Sequence, residues 1–326
     1  MWFGTNRKPL VVGDPSRGFS AAFDDRLYFG KRVVRIPSSH RAGELGSPLW
    51  RRLLTGVDDR ITVDPATELS ADAFAREVRT FLAGLDESER NVLVYIHGFN
   101  TSFDAATLRA AQLGFDLRVP GITALYSWPS RGSVGAYLTD LSSIEASEDL
   151  LAEFLVTMTK LADPGKVHIV AHSMGNRGLL RALHRATTQA ALQGGTRFGR
   201  IFLAAPDVDE KLFRQLAGVY PRISERTTLY VADRDRAFEA LAWITDGARV
   251  GAAPPVVLLP GIDTVRVRGA GLLQLGHSYV SQQVDVLRDI AAQLYWHEPP
   301  ERRRMRNGWP VPDELSSAGA SWVIGR

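Results

Sequence analysis

One serine in the chain stands where it could serve as a nucleophile. Ser173 lies in Ala171-His172-Ser173-Met174-Gly175, with the β-forming residues 167–171 before it and a helical pattern directly after. A strand that turns sharply into a helix projects a hydroxyl clear of the backbone, and small residues on both sides let helix and strand approach. The hydroxyl then needs a base to take its proton and an acid to orient that base. The histidines are His40, His97, His168, His172, His184, His277 and His297. His168 falls inside a β run, His184 along a helical stretch, and His172 is placed to point away from its neighbour's hydroxyl. His277 sits on a loop after Gly276, just before the last helical pattern. Carboxylates follow two strand-like runs: Asp233 and Asp235 after residues 228–232, Asp207 and Asp209 after residues 201–205. The second pair could hold Mg²⁺, but no third ligand accompanies it, so neither a metal nor a cofactor is expected. The chain has no cysteine, which excludes thiolate catalysis, disulfides and iron–sulfur clusters.

These residues need a scaffold, and the pattern from about residue 90 supplies one. Short apolar runs at 91–96, 122–128, 167–171, 201–205 and 228–232 read as strands. Helical patterns fall between them at about 103–114, 144–161 and 209–217, and a last one covers about 279–295. Strands alternating with helices predict an α/β fold with a mostly parallel sheet covered on both faces, its reactive groups in loops at the carboxyl ends of the strands. The first 90 residues are less regular, with short strands expected at 33–36 and 61–63. Ser70 is placed to cap a helix that turns Phe74, Val78, Phe81 and Leu82 inward. One domain over 1–326 is expected: an N-terminal elaboration (1–90), a catalytic core (91–296) and an irregular tail (297–326).

The strand at 91–96 runs into His97-Gly98-Phe99-Asn100. Together with the Ser173 pentapeptide, this resembles the α/β-hydrolase superfamily, although Ala171 stands where such turns usually carry glycine. The resemblance implies an α/β-hydrolase fold with the nucleophile, acid, base order Ser173, Asp235, His277. Asp235 is favoured over Asp233 because Ala232 to Asp235 matches the spacing seen in such proteins. It also implies that the backbone N–H groups of Phe99 and Met174 hold an oxyanion; His97 itself is expected to be structural, holding its own loop by hydrogen bonds, rather than catalytic. HGFN, YSWPS at 126–130, AHSMGNR at 171–177, LAAPDVD at 203–209 and LGHSY at 275–279 further resemble a bacterial branch known mainly as a domain of unknown function. Thr5-Asn6-Arg7 and residues 36–40 match it too, so the resemblance spans nearly the whole chain.

Composition narrows the class. The chain has 326 residues, 45% hydrophobic and 23% charged, with a net charge of +3, and nothing marks it for nucleic acid. No run approaches a membrane span and no secretory signal is evident, so a cytoplasmic protein is expected. The arginines at 302, 303, 304 and 306 read as a solvated or ion-paired surface, with peripheral lipid contact as a lesser reading. The expected activity is cleavage of a small-molecule carboxylic ester through an acyl-enzyme. Thioester cleavage, acyl transfer by the same residues, and a non-catalytic binding module are the alternatives. Residues 205–228 leave room for one helix, so no large lid is expected. The pocket walls would be Phe99, Trp128, Tyr137, Phe238 and Tyr279.

Overall fold

The computed structural model describes residues 1–47, 52, 54–56, 58–163, 165–188, 198–233, 248–268, 283–307, 310–316 and 319–325. Its N-terminal part is more strand-rich than the sequence suggests. β1 (Trp2–Pro9) and β2 (Phe19–Lys31) form a long antiparallel hairpin, followed by β3 (Val34–Arg35), β4 (Thr62–Val63) and β5 (Thr67–Leu69). α1 (Ala71–Ala83) begins at Ser70, whose hydroxyl accepts from the Ala73 N–H at 3.2 Å. Phe74, Val78 and Leu82 face inward as expected, whereas Phe81 is exposed.

The alternating core follows: β6 (Asn91–Ile96), α2 (Phe103–Asp116), β7 (Gly121–Ser127), α3 (Tyr137–Ala146), α4 (Glu148–Leu161), β8 (Val167–His172), α5 (Gly175–Thr188), β9 (Phe198–Ala204), α6 (Glu210–Leu216), α7 (Tyr220–Ile223), β10 (Ser224–Asp233), β11 (Ala252–Ala253) and β12 (Ile262–Val267). The single helix expected at 144–161 is two. The break falls at Ser147, whose hydroxyl accepts from Asn6 Nδ2 (2.8 Å) and whose carbonyl accepts from the Tyr126 hydroxyl (3.3 Å). α8 (Val284–Trp296) ends the core.

The tail is not irregular. It forms α9 (Pro300–Asn307), β13 (Val311–Ser316) and β14 (Gly319–Ile324), and β14 pairs parallel with β12. Arg303 anchors it from inside. Its side chain is fully buried, with Nε donating to Asp289 at 2.6 Å, so this member of the arginine cluster is no part of a solvated surface.

The strands join in the order β13-β14-β12-β10-β9-β8-β6-β7-β1-β2-β5, with β11 beside β10. Every pairing from β14 to β1 is parallel. Strands buried on both faces carry apolar residues at consecutive positions, and β6 divides accordingly: Val92, Val94 and Ile96 join one core, Leu93 and Tyr95 the other. α1 and α3–α6 cover the first face, α2 and α8 the second. This is the mostly parallel, two-faced sheet of an α/β-hydrolase fold. Its carboxyl edge gathers the segments after β1, β6, β7, β8 and β9, the site's components.

Candidate active site

β8 delivers Ser173 at φ 50, a left-handed conformation that an L residue adopts only under local constraint. The constraint is visible. The Ser173 N–H donates to the Ala204 carbonyl at 2.9 Å, and the Ser173 carbonyl accepts from the Asp207 N–H at 3.2 Å. Asn176, one turn into α5, places Nδ2 at 3.0 Å from the Ala171 carbonyl, 3.1 Å from that of Ser173 and 3.2 Å from that of Ala204. One amide therefore ties both sides of the turn to the neighbouring strand. Ser173 itself is only 3% exposed, and Ala171 packs in the core without exposure. Gly98 comes so close that a methyl group there would stand 2.9 Å from Ser173 Cβ.

The loop after β6 is fixed by its histidine. His97 is buried, lies nearly parallel to Trp128 (5.0 Å, 13°), and accepts the Trp128 indole N–H at its carbonyl (2.7 Å). Arg7 Nε donates to Ser127 Oγ at 2.9 Å, which leaves the Ser127 hydroxyl proton for His97 Nε2 at 3.1 Å. Nε2 is then an acceptor, and Nδ1 carries the proton and donates to the Gly98 carbonyl at 2.8 Å. Burial, reinforced by the Arg7 charge, holds the imidazole well below its ordinary pKa, so the ring is neutral. The Gly98–Phe99 peptide is trans, so its C=O and N–H point in opposite directions. With the carbonyl turned onto His97, the Phe99 N–H faces away from the ring. Among the described residues neither this N–H nor that of Met174 has an acceptor. Two such donors, one next in sequence to Ser173 and one in the loop whose Gly98 packs against it, could hold the charge that develops when the hydroxyl attacks a carbonyl.

Asp235, His277, Phe238 and Tyr279 lie outside the described residues. Of the expected pocket walls, Trp128 has no exposed surface and supports the His97 loop instead of lining a cavity. Tyr137 is 3% exposed; its hydroxyl donates to Asp207 at 2.8 Å and its ring meets that of Phe99 edge-on at 5.4 Å. Burial and the Asp207 charge raise the Tyr137 phenol far above its usual pKa. Asp207 and Asp209 do not converge on a common point. Asp207 turns to Tyr137 and to Arg249 (3.3 Å), while Asp209 caps α6 through the N–H groups of Lys211 and Leu212. Sequence reasoning passed over Arg7 and Asn176. The only available hints were that both fall inside segments matched to the bacterial branch.

Comparison with solved structures gives distant likenesses. A predicted CIB-like hydrolase from Thermoplasma acidophilum is 17% identical, with 65% of this chain and 89% of that chain covered and a TM-score of 0.35. An esterase of Pyrobaculum calidifontis is 13% identical over 77% of this chain and 98% of its own, TM-score 0.36. The NocB thioesterase domain from the nocardicin cluster is 14% identical over 64% and 95%, TM-score 0.32. Such values carry nothing about substrate. No curated protein matches the chain. Residues 70–292 match the family described as alpha/beta hydrolase of unknown function (DUF900), and the chain belongs to that family.

Proposed function

We propose that the protein is a serine hydrolase that cleaves a carboxylic ester through a covalent acyl-enzyme. One observation carries the reading: Ser173, held at φ 50 between β8 and α5, packs against Gly98, and the N–H groups of Phe99 and Met174, next in sequence to Gly98 and to Ser173, have no described acceptor. In this mechanism Ser173 Oγ attacks the ester carbonyl and its proton passes to a histidine. The tetrahedral oxyanion sits on the two N–H groups, the alcohol leaves with the proton, and water repeats the sequence to release the acid. Chain order and the family resemblance supply His277 as that histidine and Asp235 as its orienting acid.

The test is labelling by a fluorophosphonate probe, paired with turnover of p-nitrophenyl esters of increasing acyl length. Wild type is expected to label at one residue and to hydrolyse the shorter esters, and Ser173→Ala to do neither. A wild type that neither labels nor turns over, or a Ser173→Ala protein that labels undiminished, overturns the proposal.

A further inference from the structure

Arg7 is an unusual residue to find at the centre of a fold. It is 1% exposed, and among the described residues no carboxylate lies within ion-pair distance of it. The nearest influence of opposite sign is Asp140, itself taken by the Ser130 hydroxyl (2.6 Å) and the Arg131 N–H (3.0 Å). Burial lowers the guanidinium to about 9, with Asp140 opposing, so the group stays charged at neutral pH. A buried charge without a paired ion is costly unless hydrogen bonds replace its water.

All but one of those bonds are made to segments that form the site; the exception is Ser20, on β2. Nη2 donates to the Thr101 carbonyl at 2.7 Å and lies 3.4 Å from His97 Nε2. Nη1 reaches the carbonyls of Ser130 (3.0 Å) and Ser20 (3.2 Å), and Nε donates to Ser127 Oγ. Only a planar fork with five donors can serve so many acceptors at once; a lysine ammonium cannot. The loop is also held from its far end, where the Thr101 N–H donates to Ser130 Oγ at 3.0 Å.

From this geometry we infer that Arg7 is the positioning residue of the oxyanion loop. It acts through Ser127 and His97 to fix the Gly98–Phe99 peptide with its N–H toward the attacking serine. The relay runs in one direction: Arg7 Nε–H to Ser127 Oγ, Ser127 O–H to His97 Nε2, His97 Nδ1–H to the Gly98 carbonyl. Reversing any ring proton would face the Gly98 carbonyl with a lone pair, releasing the peptide to rotate. The N-terminal hairpin, which lies outside the matched span of residues 70–292, is thereby part of the catalytic apparatus. The inference rests on the serine hydrolase reading for its kinetic consequence but not for the relay itself.

The test uses Arg7→Lys, Arg7→Met and Ser127→Ala in the full chain, with three measurements. The first is thermal midpoint. The second is kcat and KM on p-nitrophenyl butyrate, normalised to sites titrated by fluorophosphonate. The third is the ¹⁵N spectrum of the histidine rings, with His97 assigned through His97→Asn. Wild type is expected to show a His97 ring protonated at Nδ1 from pH 5 to 9. Arg7→Lys and Ser127→Ala should lower kcat per titrated site by roughly 10- to 100-fold with KM within about 3-fold, less than the roughly 10²–10³-fold that removing an oxyanion donor outright costs. Both should also lose the fixed tautomer. Folded variants with a lower thermal midpoint but unchanged kcat per site would make Arg7 a strut and overturn the inference, as would a wild-type ring protonated at Nε2. If the Arg7 variants do not fold, Ser127→Ala decides. If wild type neither labels nor hydrolyses esters, the functional proposal fails, and the ring spectra still decide the relay.

Discussion

A methyl group on Gly175 would stand 2.5 Å from the His97 carbonyl oxygen and 3.0 Å from that of Ile96. The first turn of α5 is thus in backbone contact with the end of β6, and the Ser173 turn and the His97 loop are one packed unit. Gly175→Ala must push them apart. Overpacking of this kind costs about 1–3 kcal/mol, and displacement near 1 Å can cost ~10²-fold in rate. Thermal unfolding and ester turnover together check this: a lowered midpoint with at least a tenfold fall in kcat is expected.

Asn176 offers a sharper contrast. Its Nδ2 faces three carbonyls, so Asn176→Ala removes the donor and leaves them short of a partner, at about 1–3 kcal/mol. Asn176→Asp places an acceptor, charged at neutral pH, against the same carbonyls and should be worse than Ala. Fluorophosphonate labelling rates and urea midpoints should rank wild type above Ala above Asp.

Acid stability follows from a second buried histidine. His168 is enclosed between the Arg200 N–H (2.9 Å) and Asn91 Oδ1 (3.2 Å), and burial, then the Arg200 charge, lowers it from 6.5 to about 3. Between those values the unfolded chain binds a proton that the folded chain does not. Stability therefore rises with pH in that window and is lost as pH falls from 6.5, by ~1.4 kcal/mol per pH unit for this group. His97, also held neutral, adds in the same direction. Urea titrations of wild type and His168→Asn between pH 7.5 and 5 should show the variant's dependence shallower by about one proton.

The tail predicts its own double-mutant result. Asp289 is buried and accepts from Arg303 Nε at 2.6 Å and from the Tyr230 hydroxyl at 2.6 Å. Arg303→Met alone strands the carboxylate and should cost about 3–5 kcal/mol, whereas adding Asp289→Leu should recover a large part of that loss. Chemical denaturation of the two single variants and the double variant measures it.

The parts of the fold legible in the sequence were those whose signal is local. β6, β8 and β9 are buried along both faces, and their apolar stretches at 92–96, 169–171 and 201–204 therefore read as strands. The Ser173 turn was legible because its small residues and flanking periods sit within a short span. β2 hid because most of its residues are exposed or only partly buried and its pattern is neither continuous nor cleanly alternating. β13 and β14 hid behind a Pro- and Arg-rich composition, since a buried Arg303 looks like a surface arginine until its partner is known. Arg7 and Asn176 were illegible as functional residues for a related reason. All the bonds of the Asn176 side-chain amide, and three of those of Arg7, go to backbone carbonyls, which leave no trace in residue type at the other end.

The Arg7–Ser127 hydrogen bond joins residues 120 positions apart, and the Arg7–Ser130 bond spans 123. On a ribosome adding about 5–20 residues per second, the guanidinium would wait roughly 6–25 s for the last of its acceptors to be made. Through that interval β1 has β2 to pair with but not β7, and a buried cation has no burial. Assembly of the site is therefore a late, long-range closure, of the kind that makes folding slow and exposes intermediates to aggregation.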